Sequence, residues 1–353
     1  MPAPLPATPP ALQASSAALA APLPMAMAPF VAPGRTRARV CAIAVLAIWI
    51  SFILVARGSA KATLTPFDIA WLRFAFSGLV VLPVVWVYRQ AFVRGLTAGV
   101  DAAAAGPVAL RRALVLGLVG GVGYSLLAYS GFFLAPVAHA AVLLPGSLPL
   151  WSAIAALVLL GERLTAARLL GLALILMGGL AVAGTSLLDA FSGPGTWRGD
   201  LCFVAASITW SLYGVLCRRW RMGALETTAA MALVSLVLFV PVYLAAVAAG
   251  WLPSHLGRAP WGELAFQAVY QGGLAMLVAG YAFTQVVSHY GPVRTTMFTA
   301  IVPPLAALAA VPVLGEPLAA AALAGLAFVT LGLLIGTGAL SLPRRGARAG
   351  VGG

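Results

Sequence analysis

Two carboxylates stand in nearly the same twelve residues: Glu162 in LGERLTAARLLG, which begins at Leu160, and Glu316 in LGEPLAAAALAG, which begins at Leu314, 154 positions later. Each follows a glycine able to end a helix in the left-handed conformation. Each precedes the next helical run by a few residues, where free N–H groups and a positive dipole end favour a negative charge. A capped turn between helices is the structural expectation for both, and a gating latch or proton carrier is the chemical alternative. Arg73 lies seven residues inside Pro66, about 10 Å along a helix at ~1.5 Å per residue. Its guanidinium either snorkels to an interface or faces a wet path, where it suits an anionic group such as a carboxylate. Asp68 is five residues away and not on the same face.

Uncharged groups form further constellations. Gln267, Gln271, Tyr281, Gln285 and His289 follow one another at steps of 4, 10, 4 and 4, which keeps them on roughly one side of a helix. A primary amide facing lipid is expensive, so this side is expected to meet protein or water: interhelical hydrogen bonds or a solvated cavity. Trp49 and Trp210 lie in the middle of apolar runs, and Tyr213 follows Trp210 by one turn. With Tyr124 they suit a ligand clasp or simple packing. His139 begins one apolar run and Arg294 another; both are read as lying near the cytoplasmic end, His139 as an anchor or as a group that titrates near neutral pH and serves proton coupling. Pro145, Pro149, Pro303 and Pro304 interrupt two runs, and such breaks free carbonyls and often mark a binding region.

Catalytic chemistry finds little to stand on. The sequence has no HExxH, GxSxG or Walker motif, and Gly121-x-Gly123 has no strand before it to make a nucleotide fingerprint. The three histidines, at 139, 255 and 289, have no carboxylate at a spacing suited to acid–base work. Cys41, Cys202 and Cys217 form no CxxC pair and read as small buried hydrophobes. No catalytic residue, metal site or cofactor is expected.

The elements that must position these residues follow from composition. Of 353 residues, 62% are hydrophobic and 8% charged, with a mean hydropathy of +1.03; a soluble domain carries about 25% charged residues. Ten apolar runs fall near 39–56, 66–87, 112–132, 137–160, 165–184, 199–217, 227–249, 263–287, 293–314 and 319–338. In hydrocarbon each must be a helix, since backbone groups there bond internally. The net charge of +13 does not point to nucleic acid, because the arginines sit between apolar runs and form no basic face interleaved with aromatics. With the amino terminus inside, sixteen Lys and Arg fall on the cytoplasmic side and four outside, which places both termini in the cytoplasm of a cell with the chain in its inner membrane. Residues 1–36, Ala/Pro-rich with no basic start, read as a disordered cytoplasmic tail rather than a signal peptide, and residues 339–353 as a basic cytoplasmic tail.

The opening duplication extends well beyond its carboxylates. A shift of 154 pairs Pro149 with Pro303, Gly161 with Gly315, Gly171 with Gly325, Gly178 with Gly332 and Gly184 with Gly338. Smaller changes of offset pair Tyr124 with Tyr281, Pro136-Val137 with Pro292-Val293, and Trp49 with Trp210. Residues 37–184 and 197–338 are therefore two copies of a five-helix unit, joined by a linker at 185–196. Five is odd, so the second copy enters the membrane from the opposite side. The fold class expected is an all-α integral membrane protein of two inverted five-helix repeats, in which the two halves rock about a central site. Two-fold symmetry would set Tyr124 and Tyr281 on opposite walls near the axis.

TPFDIAWLRF, GLVGGVGYSLLAYSG, LPGSLPLWSAIAALVLLGERL and RLLGLALILMGGLAVAG resemble the first EamA unit of the drug/metabolite transporter superfamily. GDLCFVAASITWSLYGVLCRR and the stretch from Pro292 to Gly338 resemble the second. GEPL in the second copy departs from the usual GERL type. The resemblance implies a ten-helix transporter with both termini inside, often an exporter of amino acids, drugs or other metabolites. The residues expected to bind substrate are Trp49, Arg73, Tyr124, Trp210, Tyr213, Gln271, Tyr281 and Gln285. His139, Glu162 and Glu316 are the gating or coupling candidates, and Pro149 and Pro303 the helix breaks. The expected partners are a small-molecule substrate, protons as a candidate coupling ion, and the lipid bilayer, with no nucleic acid; the chain is a monomer or homodimer. A channel, a non-transporting scaffold and a lipid-modifying enzyme are the rival readings.

Overall fold

The computed structural model describes residues 34–97, 105–162, 164–189, 195–291, 295 and 299–337. Most of the two expected tails, part of the 185–196 linker, Pro292-Val293 and Arg294 lie outside the described residues. Among those described there is no strand. The helices are α1 (Arg35–Ser59), α2 (Pro66–Val87), α3 (Ala105–Leu134), α4 (Val137–Leu160), α5 (Ala166–Asp189), α6 (Trp197–Arg219) and α7 (Ala224–Ala248). They continue with α8 (Trp261–Gln267, then Ala268–Val278 and Ala279–Tyr290), α9 (Val302–Leu314) and α10 (Ala320–Thr337). A short helix, Arg89–Leu96, lies between α2 and α3. Six of these, α1 to α4, α6 and α7, are long and apolar enough to cross a membrane. Their outward residues are apolar too: Ile43 is 67% exposed and Val158 74%, as a lipid-facing surface requires and a water-facing one penalises. Trp251 and Trp261 stand exposed where α7 ends and α8 begins, the usual level of an aromatic belt.

Local chemistry sets the helix ends. Thr65 caps α2 by accepting from Asp68 N, while Asp68 returns a bond to Thr65 N, with Pro66 at the first helical position. Gly161 and Gly315 end α4 and α9 at φ 68° and 67°, a left-handed conformation open to glycine without strain. Pro149 and Pro303 each fall in the first turn of a new α-helical stretch, after a π turn at Val142–Gly146 in α4 and a 3-10 turn at Thr299–Ile301 before α9. A proline lacks the N–H that a first turn leaves unbonded anyway. An α-helical stretch accordingly starts at Val302; the residues from 292 to 298, except Thr295, lie outside the described residues. Two further π turns lie in α3 (Gly117–Gly123) and α8 (Ala268–Val278).

Glycines decide how α5 meets α10. A methyl group at Gly171 would sit 2.4 Å from the Gly332 carbonyl oxygen, and one at Gly178 would sit 2.6 Å from that of Gly325. Early residues of α5 thus meet late residues of α10, so the two helices cross antiparallel with their backbones in contact. Contacts at the helix ends set the starts of α2, α4, α6 and α8 together with the Glu316 turn, and the ends of α4, α6 and α8 together with the Glu162 turn.

Candidate functional site

An aromatic cluster fills the centre of the bundle. α1 supplies Trp49 and Phe52, and α6 supplies Trp210 and Tyr213, each pair three residues apart and so on one helix face. Tyr124 comes directly after the π turn of α3, and Phe283 is supplied by α8. Trp49 meets Trp210 edge-on, with ring centroids 6.1 Å apart, and stacks on Phe283 at 5.5 Å. Tyr124 and Tyr213 flank Trp210 at 4.7 and 5.1 Å. Trp49, Tyr124 and Trp210, with Phe52, Pro145 and Ser207, border a small cavity. Its walls are rings in mutual contact, so a metabolite enters only if they part. Each aromatic pair is worth ~0.5–1.5 kcal/mol beyond the area it buries, an amount ligand contacts can replace. The Trp210 indole N–H has no partner among the described residues.

A polar chain runs beside this cluster. Arg73 is 2% exposed and donates through Nη1 to Tyr129 OH at 3.3 Å; that hydroxyl donates to Gln271 Oε1 at 2.9 Å. The guanidinium also lies over the Phe52 ring, 5.9 Å from its centroid. Gly272 lets α8 close on the Arg73 carbonyl oxygen, which brings the neighbouring Gln271 to the centre, fully buried. Arg73 Nε and Gln271 Nε2 are unpartnered among the described residues, and no carboxylate there pairs with Arg73. Asp68 is fully committed elsewhere: it accepts from Thr65 N, His255 N, Ser254 and Tyr243 at the Glu316 end. Arg73 therefore does not snorkel. It is a buried cation whose neighbours are neutral, the arrangement that best accepts an anion.

The broken part of α4 leans on α6 through serines. Ser147 bonds Leu143 O, Ser207 and the Trp151 indole, while Ser152 pairs with Ser211, which also donates to Leu148 O. These bonds satisfy groups that a helix break would orphan.

Ion pairs mark the two ends. At one, Arg57 Nε lies 2.6 Å from Glu316 Oε1 and Nη1 donates to Phe132 O at 2.7 Å; Glu316 Oε2 accepts from Val137 N at 2.9 Å, and Lys61 donates to Leu314 O. His139 pairs with Asp200 at 2.8 Å at this same end. At the other, Arg218 Nη1 lies 3.4 Å from Glu162 Oε1. Among the described residues neither glutamate side chain bonds the start of the helix that follows it. Glu316 instead accepts from Val137 N at the start of α4 and pairs with Arg57, and Thr165 occupies the cap of α5 by accepting from Arg168 N at 3.4 Å. His139 stands at the Glu316 end, since α4 starts there.

Of the residues expected to bind substrate, the fold brings Trp49, Tyr124, Trp210 and Tyr213 into one cluster and links Arg73 to Gln271 beside it. Tyr281 and Gln285 are half-buried outside the cavity lining; the Tyr281 hydroxyl accepts from Arg37, so it does not face Tyr124 across the axis. The π turn of α8 lies between Gln267 and Tyr281 and rotates the rest of that helix, splitting the stripe. Gln267 bonds Ser59 instead. Sequence reasoning missed Tyr129, Phe52 and Phe283 in the centre and Arg57, Arg218 and Asp200 as partners. One signal was present: Arg57 and Arg218 are 161 residues apart, as are Trp49 and Trp210.

Comparison with known proteins adds three findings. The model of the EamA-like transporter family matches residues 37–184 and again 197–337. The uncharacterized transporter YyaM of Bacillus subtilis (strain 168) is 28% identical over 238 residues, 65% of this chain and 74% of its own. A protein of known crystal structure superposes with a TM-score of 0.57 at 24% identity, over 86% of this chain and 97% of its own, which speaks to the fold.

Proposed function

Since the chain belongs to the EamA-like transporter family, and is thus a multi-pass membrane transporter rather than an enzyme, we propose that it is a secondary transporter that exports a small metabolite through the centre of the bundle by alternating access. Its ten helices are two inverted five-helix repeats in an inner membrane, with both termini cytoplasmic. The observation that carries this reading is reciprocity. Gly171 touches Gly332 and Gly178 touches Gly325, although the repeat pairs Gly171 with Gly325 and Gly178 with Gly332. Contacts exchanged in this way are what a two-fold axis produces, and antiparallel equivalent helices put that axis in the membrane plane. Trp49 meeting its own repeat partner Trp210 sets the axis near the cavity. Halves related so have two mirror-like states of similar energy, each open to one side.

The substrate reading rests on the centre itself. Arg73 and the Gln271 amide hold a carboxylate or similar anion, and Trp49, Tyr124 and Trp210 clasp an apolar body; an amino acid or a drug-like acid fits. Purified protein is screened by thermal shift against metabolite classes, where a ligand at ~100 times its Kd adds about 2.7 kcal/mol. The compound that raises the melting temperature is then loaded into proteoliposomes. A carrier gives saturable uptake and counterflow. Uptake linear in concentration without counterflow identifies a channel and overturns the proposal.

A further inference from the structure

We infer that Arg57–Glu316 and Arg218–Glu162 are the two gates of this transporter, one made as the other breaks. The inference rests on the alternating-access reading. The 161-residue offset that pairs Trp49 with Trp210 carries Arg57 onto Arg218, and the 154-residue offset carries Glu162 onto Glu316. Each ion pair joins an arginine of one half to a glutamate of the other, and the two pairs exchange partners as the glycines do. They lie at opposite ends of the bundle. Each arginine sits in the last turn of the first helix of its half, and each glutamate in the turn before the last. Closing either pair draws the same two halves together, at one end through α1 and the turn before α10, at the other through α6 and the turn before α5.

The ends are not in the same state. The Glu316 pair is short, and both side chains are largely covered, at 19% and 15% exposure. It is reinforced by the Phe132, Val137 and Lys61 bonds. Asp68, Asp200 and Glu263 tie further helices together at that end; Glu263 accepts from Thr63 N and Leu64 N. The Glu162 pair is stretched to 3.4 Å with its arginine 46% exposed, and Met222 occupies the place that the repeat gives Lys61. The structure thus holds both gates closed, the Glu316 gate more tightly than the Glu162 gate. Under the proposed orientation it is closed to the outside and poised to open inward. A rigid bundle would gain from two equally tight pairs; a rocking one needs a close balance between them.

Hydrogen exchange of the full-length protein in nanodiscs tests this without any substrate. Glu316→Gln is expected to speed exchange about threefold or more around 130–140 and 314–323, and at the same time to slow it around 158–166 and 216–224. Glu162→Gln is expected to slow exchange around 130–140. Arg57→Gln leaves the Val137 cap in place and should repeat the Glu316→Gln pattern if that variant folds poorly. A rise confined to the mutated end in every single variant means that these are static surface pairs and overturns the inference. Counterflow by the wild type with no reciprocity removes the gates and keeps the transporter; reciprocity without counterflow keeps the gates and removes transport.

Discussion

Arg73 shows what one buried charge does in a fold almost empty of charge. A guanidinium at mid-depth costs about 2.5–3.5 kcal/mol on insertion scales, and among the described residues only neutral groups, Tyr129 and the Phe52 ring, answer it. Arg73→Gln is therefore expected to leave the melting temperature of the empty protein unchanged or raise it. The same change should weaken ligand-induced stabilisation and transport about tenfold or more, a loss of ~1.4 kcal/mol per decade; full activity with glutamine would remove Arg73 from the site. Tyr129→Phe should act differently. It takes from Gln271 Oε1 its donor while Nε2 already has no partner among the described residues, which leaves a buried amide unsatisfied at a cost of about 1–3 kcal/mol. The empty protein should melt lower, as differential scanning fluorimetry would register. Residue types and rough depth were legible for Arg73. The sequence also set Asp68 on another face; what it did not show is where Asp68 goes instead, because Tyr243 and Ser254 that hold it are far away in the chain.

At the scale of elements, backbone approach and irregular turns position the side chains. α5 and α10 touch through glycine, so Gly171→Ala should lower stability by ~1–3 kcal/mol as an overpacked contact. Gly214→Ala is the matched contrast. Its new methyl would rest 3.6 Å from the Phe283 ring, ordinary contact, and alanine is favoured over glycine inside a helix by roughly 0.5–1 kcal/mol. Opposite shifts of melting temperature are expected, and equal shifts would remove the close crossing as their cause. The helix-ending glycines Gly161 and Gly315 and the proline positions were visible in the sequence because each is a local backbone rule; the Thr65–Asp68 cap on α2 was not read there. The π turns were not. They depend on what packs beside the helix, and the one in α8 is why Tyr281 and Gln271 do not share a face as a regular helix would have them.

At the scale of the whole molecule, the sixteen-to-four distribution of Lys and Arg predicts an even number of crossings and a cytoplasmic carboxyl terminus. A green fluorescent protein fused after Gly353 should fluoresce, since it matures in the cytoplasm; a dark fusion active only with a periplasmic reporter would reverse that orientation. The sequence by itself determined that the chain is helical, membrane-bound and built twice. Hydropathy answers to the solvent, and a duplication needs no structure to be seen. It also marked Trp49, Trp210, Glu162 and Glu316 as equivalents. The tertiary structure alone decided which equivalents meet: tryptophan on tryptophan at the centre, each glycine of one half on the non-equivalent glycine of the other, arginine of one half on glutamate of the other. Those contacts join residues of different halves, and their register is set by how closely two backbones can approach, a distance no local pattern encodes.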